Sequence, residues 1–215
     1  MKSNTCKIAF LPDIHIGKPK LAPDRVRDHL EALVYNRIPD IDLLVFGGDF
    51  FDSALNMNST AGVYAALIID EITALAKKHK TFIRVINGTF FHDRHQNKFF
   101  DIKSPMCGNI DGVPLLKVYD KIDLEFLTPL NLSVMYCPDN QPGNVTEQLL
   151  ELLKAHRLKQ VDFLFSHGYY EYLLPRGLAH VPQNTINYDL ISPMIRGRIL
   201  NGHVHIPKQH KKRVL

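Results

Sequence analysis

The stretch DLLVFGGDFFD, Asp42–Asp52, decides the fold. Its apolar run DLLVF is too short for a helix and stops at Gly47-Gly48, so it reads as a buried strand. Directly after that strand come two carboxylates, Asp49 and Asp52. The same format recurs along the chain. KIAFL (Lys7–Leu11) runs into Pro12-Asp13-Ile14-His15, and TFIRVI (Thr81–Ile86) into Asn87-Gly88 with His92-Asp93 shortly beyond. VDFLF (Val161–Phe165) leads to Ser166-His167-Gly168, and GRIL (Gly197–Leu200) to Asn201-Gly202-His203-Val204-His205.

Between these strands lie segments of helical period: DRVRDHLEALVYN from Asp24, AGVYAALIIDEITALAKKH from Ala61 and VTEQLLELLKAHRL from Val145. The second ends in Lys77, Lys78 and His79, cations suited to the negative end of a helix dipole. Shorter runs between Pro114 and Tyr136 (PLLKVY, LEFL, LSVMY) are spaced by turn residues and predict an antiparallel meander. The order β-α-β-α-β, hairpins, α-β predicts an α/β fold of two sheets covered by helices, mixed rather than wholly parallel. No linker interrupts residues 1–215, so one domain is expected.

Composition narrows the class. With 45% hydrophobic and 22% charged residues the chain is ordinary globular material. No apolar run approaches the ~20 residues a membrane helix needs, and the N-terminal apolar run is too short for a signal-peptide core. The cysteines, Cys6, Cys107 and Cys137, are odd in number and scattered, which predicts reduced thiols and a cytoplasmic location. A formal charge of +4 permits a phosphate-bearing partner without requiring one.

Five strands deliver Asp, His or Asn at their C-terminal ends, the edge where open α/β sheets place ligands. One such residue is ordinarily a turn residue or helix cap. Five with the same chemistry at one edge call for another explanation, because turns need no histidine and a core would not collect carboxylates. In an extended chain His203 and His205 point the same way, since strand side chains repeat every two residues. Mixed imidazole and carboxylate donors suit Mn, Fe, Ni or Zn. They are too nitrogen-rich for Ca or Mg, and they lack the thiolates of most structural Zn sites. The donors are also too many for one ion, and fit two that share a carboxylate.

This set resembles the calcineurin-like metallophosphoesterase superfamily. The pattern D-x-H … G-D-x-x-D … G-N-H-[DE] … H … G-H-x-H is matched by Asp13/His15, Gly48-Asp49-Phe50-Phe51-Asp52, a degenerate NGTFFHD, His167 and Gly202-His203-Val204-His205. The resemblance spans Asp13 to His205. It implies a four-layer αββα sandwich, two mixed sheets flanked by helices. It implies that Asp13, His15 and His205 hold one divalent metal, that His167 and His203 hold another, and that Asp49 bridges them. Manganese is the metal typical of the resembled enzymes, with Fe, Zn, Ni and Mg as alternatives. Hydrolysis would follow from a hydroxide held between the ions, with His92 as acid or charge stabiliser for the leaving oxygen. Asp93 would orient His92, and Asp52 would support the ligands from behind.

Within the superfamily, Asp13-Ile14-His15-Ile16-Gly17-Lys18, the second motif and His92-Asp93-Arg94 look most like the SbcD-type double-strand-break repair nucleases, phage-type versions especially. That resemblance implies DNA as substrate, an SMC-like ATPase subunit as partner and a possible homodimer. The resembled nucleases continue past the last motif into a DNA-capping domain, so the resemblance implies that residues 1–215 match either their nuclease core or a piece of a longer chain. Basic and aromatic residues accompany the motifs: Lys18 and Lys20; Arg94, His95, Lys98, Phe99 and Phe100; Tyr169, Tyr170, Tyr172 and Arg176. Such interleaving suits backbone phosphates and unstacked bases, with Arg94, Lys98 and Tyr170 as the candidate contacts. The basic tail Lys208–Arg213 suits either DNA or the protection of an edge strand. A small-molecule or cyclic-nucleotide phosphoesterase, and a non-catalytic scaffold, remain alternatives.

One departure stands out. In VINGTFFHDRH the family's metal-binding Asn, just before the motif His, is replaced by Phe91, and a benzyl group cannot coordinate a cation. Either Asn87 supplies its amide oxygen or water fills the position. The His167/His203 site is then expected to be the weaker one and to fill second.

Overall fold

The computed structural model describes residues 5–139, 141–174 and 184–204. The chain is α/β. It opens with β1 (Ile8–Leu11), α1 (Pro23–Leu33), β2 (Leu43–Gly47), α2 (Thr60–His79) and β3 (Phe82–Ile86). Two helices follow, α3 (Phe90–Asp93) and α4 (Lys98–Cys107), then the short β4 (Asn109–Ile110) and β5 (Val113–Pro114). The remainder is β6 (Leu116–Tyr119), β7 (Asp123–Leu127), β8 (Leu132–Cys137), α5 (Val145–Ala155), β9 (Val161–His167), α6 (Tyr188–Ile191) and β10 (Ile195–Gly202).

Local chemistry sets the long elements. Helix α2 starts where Ser59 Oγ accepts from the Gly62 N–H, and stops where Lys80 turns left-handed at φ 60°. Its buried stripe, Ala65, Ile68, Ile69, Ile72 and Ala76, has the three-and-four spacing of a single helical face. Pro23 begins α1 with a fixed φ and no N–H to leave unpaired. Asn144 caps α5 by accepting from the Glu147 N–H. Every residue of β2 and β3 is buried, as expected of parallel strands covered on both faces.

Two four-stranded sheets result, ordered β1-β2-β3-β6 and β10-β9-β8-β7. All neighbours in the first are parallel. In the second, β10, β9 and β8 are parallel and β7 alone runs antiparallel to β8. The first sheet therefore departs from the mixed order expected, and the middle segment is not a meander. PLLKVY contributes β6 to the edge of the first sheet beside β3. The chain then crosses at Asp120–Ile122, so that only LEFL and LSVMY form a hairpin. Turn residues mark where strands end, but they do not say which sheet the next strand joins.

The sheets face one another. Phe10 of β1 stacks on Phe165 of β9 at 5.7 Å, and Tyr119 of β6 on Tyr136 of β8 at 3.9 Å. Alternation along β8 sends Val134 and Tyr136 toward the first sheet. Met135 and Cys137 go the other way, onto Leu149 and Leu153 of α5 and Ile191 of α6. A buried ion pair spans the inter-sheet layer. Arg84 of β3, fully buried, donates from Nε and Nη2 to the two carboxylate oxygens of Glu125 on β7, at 2.7 and 2.8 Å. Its Nη1 donates to the Ile83 and Leu115 carbonyls, and Tyr119 donates its hydroxyl to Glu125. Among the described residues no helix is long and apolar enough to cross a membrane.

Candidate metal centre

The C-terminal ends of β1, β2 and β3 in one sheet, and of β9 and β10 in the other, meet at one edge. The backbone there is unusual. Asp13, His15, Asp49 and His203 all have positive φ, at 57°, 53°, 51° and 84°. Non-glycine residues seldom adopt that region, and such strain gathers at functional sites. Two glycines let the loops approach. A Cβ on Gly48 would lie 2.3 Å from His167 Nδ1, and one on Gly88 only 2.1 Å from the Asp49 backbone nitrogen.

Asp49 is the hub. Its Oδ1 accepts the Thr89 N–H at 2.6 Å. Its Oδ2 lies 3.3 Å from His167 Nε2, 4.0 Å from His15 Nε2 and 3.9 Å from His92 Nε2. The described donors form groups that could hold a metal ion, Asp13/His15/Asp49 and Asp49/His167/His203, with Asp49 common to both. A further group, His15/Asp52/His92, adjoins them. Asp13, His15, Asp49, His167 and His203, named as ligands by the resemblance, fall in these groups among the described residues. His205 lies outside them, as do Arg176 and the Lys208–Arg213 tail.

The donor set fits a cation. His167 Nδ1 lies 2.7 Å from the Gly47 carbonyl, which fixes the tautomer and aims Nε2 at Asp49. That Nε2 is buried and makes no hydrogen bond to any described residue. A histidine held by a backbone carbonyl on one nitrogen and facing a carboxylate with the other is the usual arrangement around a metal. His15 Nδ1 lies 3.3 Å from Asp52 Oδ1, which sets that carboxylate beside the ring. The Asp13 carboxylate accepts the His203 N–H with both oxygens at 3.1 Å, tying β1 to β10.

The charges reflect this crowding. Burial pushes the Asp49 pKa up, but His167, the Thr89 N–H and His92 together outweigh it and hold the carboxyl below its ordinary value. Burial pulls His167 down, yet Asp49 leaves it above the ordinary histidine value. Burial, with His167 nearby, lowers His203. A proton or a cation is thus favoured between Asp49 and His167, while His203 is kept neutral and able to ligate.

Three expectations need correction. Asp93 does not orient His92, whose Nδ1 contacts the Asp52 carbonyl at 2.5 Å instead. Asp93 is buried and accepts from the Gly88 and Phe51 N–H groups and from Asn97, so it braces the loops that carry Asp49 and Thr89. Its one-turn-helix position next to His92 turns the carboxylate inward. Asn87 has its Oδ1 engaged by Asn97, whose Nδ2 donates to it at 2.9 Å. Tyr170 is fully buried, with its hydroxyl 3.0 Å from Ser166 Oγ, so it has no face to offer a base. The exposed tyrosine is its neighbour Tyr169, edge-on to His203 at 4.4 Å. Strand-like alternation at Tyr170 sends the second ring into the core.

Arg94 and Lys98 are exposed, as their proposed role needs. Phe90 and Phe91, on the short helix with His92, are exposed too, Phe91 by 70%. Sequence reading did not single out Thr89, whose hydroxyl lies 3.3 Å from both Asp49 Oδ2 and His203 Nδ1. Its only signal was a hydroxyl residue directly after Gly88 at a strand end, a common turn composition. Neither a protein-family model nor a curated protein sequence matches this chain, so its own residues carry the functional reading.

Proposed function

We propose that this chain is a two-metal phosphodiesterase of the calcineurin-like metallophosphoesterase type, a four-layer αββα sandwich acting on DNA. The observation that carries this reading is Asp49 Oδ2, on which donors from both sheets converge. Helices α1 and α2 pack on one sheet and α5 and α6 on the other, which supports the layered fold. Asp13, His15 and Asp49, with His205, would hold one divalent cation; Asp49, His167 and His203 would hold the other. Manganese fits this oxygen and nitrogen set. Such a pair, when bound, generates a nucleophile from water and stabilises charge growing on a phosphoryl group.

The residues around the cations divide the remaining work. His92 is partly exposed, and the Asp52 carbonyl fixes its ring with Nε2 toward the centre. That placement suits proton delivery to, or charge stabilisation of, a departing oxygen. Arg94 and Lys98 would take backbone phosphates, and Tyr169 would take an unstacked base. The motif resemblance further supports a place beside an SMC-like ATPase in break repair.

A DNA substrate makes the binding salt-dependent. In Mn²⁺, single-stranded and duplex oligonucleotides are expected to be cleaved, with affinity falling steeply as salt rises. Tyr169→Ala is expected to weaken single-strand binding by ~1–3 kcal/mol, the value of a stacked base. Efficient turnover of mononucleotide monoesters, with no salt-sensitive DNA affinity, would establish a small-molecule phosphatase instead.

A further inference from the structure

Thr89 brings a donor to the position that Phe91 leaves without one. We propose that Thr89 Oγ1 is a direct ligand of the cation at Asp49, His167 and His203, giving a lone pair to the ion. The inference rests on the two-metal reading above and adds a residue to it.

The Thr89 hydroxyl makes contacts that are long for hydrogen bonds. Thr89 Oγ1 is 3.3 Å from Asp49 Oδ2 and 3.3 Å from His203 Nδ1. A hydroxyl bonded to a carboxylate for its own sake sits closer, at roughly 2.5–3.0 Å. Ligands bound at ~2.0–2.2 Å, at angles between square and tetrahedral, are ~2.8–3.6 Å apart. A further separation in the group, Asp49 Oδ2 to His167 Nε2, is also 3.3 Å. Spacings of this size suit atoms arranged around a common ion.

The backbone holds the hydroxyl there. The Thr89 N–H donates to Asp49 Oδ1 at 2.6 Å, so the same carboxylate receives both ends of the residue. Gly88 permits that approach, and Asp93 holds the Gly88 N–H at 2.7 Å. Phe91 points outward and takes no part. A neutral threonine oxygen is an established ligand for hard divalent cations, as in phosphate-binding loops that hold Mg²⁺.

The test is Mn²⁺ binding by calorimetry and by electron paramagnetic resonance, on chelator-stripped wild-type protein and on Thr89→Val, Thr89→Ala and Thr89→Ser. Thermal melting of the metal-free proteins checks the fold, and Thr89→Ala replaces Thr89→Val should the latter not fold. Wild type is expected to bind two Mn²⁺. Thr89→Val and Thr89→Ala should bind one as before and the other at least ~10-fold more weakly, while Thr89→Ser keeps both. Equal weakening of both sites would overturn the proposal, because a residue that only orients the shared Asp49 affects both. Unchanged binding in Thr89→Val would overturn it as well. A wild-type protein that binds no second Mn²⁺ would remove the two-metal reading itself, and the proposal with it.

Discussion

Asp49→Asn is expected to lower metal-dependent phosphodiester hydrolysis by at least ~10³-fold, beyond the ~10–100-fold typical when a partner that only orients a ligand is lost. The reason is the convergence on Oδ2. His167, His15, His92 and Thr89 all face that one atom, and it belongs to both donor groups. The amide keeps the shape, and its oxygen can still accept the Thr89 N–H. It loses the charge that lifts the His167 pKa and that would balance two cations. Mn²⁺ titration should show both sites weakened, and thermal melting of the metal-free variant should show the fold retained. Wild-type turnover in Asp49→Asn would mean that the carboxylate is not the bridge.

Much of this centre was legible in the sequence because strands of a parallel sheet end on one edge, whatever the sheet order. Asp13, His15, Asp49, His167 and His203 each follow an apolar run that is too short for a helix, and the structure brings their donors together. What stayed hidden depends on side-chain direction within tight turns. Asp93 and Asp52 both lie near His92, and only the folded loop shows that the Asp52 carbonyl holds the ring. Tyr169 and Tyr170 differ by one position, which decides solvent or core. Thr89 has the composition of an ordinary turn, and its role follows from the approach of Gly88 to Asp49. Helix α4 was hidden as well. Its opening residues Lys98, Phe99 and Phe100 read as part of a basic and aromatic cluster, and Pro105 weakens its helical signal.

The buried Arg84–Glu125 pair predicts the second large effect. Arg84→Leu is expected to destabilise the protein by ~3–5 kcal/mol, since it leaves the Glu125 carboxylate buried without its cation. An arginine in the centre of FIRVI was the visible sign, but its partner lies 41 residues away on the other sheet. Removing both charges, as Arg84→Leu with Glu125→Leu, should cost less than the single change. The Tyr119 and Tyr136 hydroxyls, which both donate to Glu125, then lose an acceptor, but no unpaired charge stays inside. Urea denaturation of the two variants measures the difference. The pair also spans the layer between the sheet of Asp49 and that of His167 and His203. The single variant should therefore bind Mn²⁺ less tightly, even under conditions where it is folded. A cost of under ~1 kcal/mol for Arg84→Leu would show that the pair does not hold the sheets together.

The central claim is that the converging donors make a metal-dependent phosphodiesterase. It is tested most directly by turnover of bis-p-nitrophenyl phosphate by chelator-stripped protein, measured with and without added Mn²⁺. No turnover in chelator, restored by Mn²⁺ in wild type and not in Asp49→Asn, is the predicted result; undiminished turnover in excess chelator would contradict it.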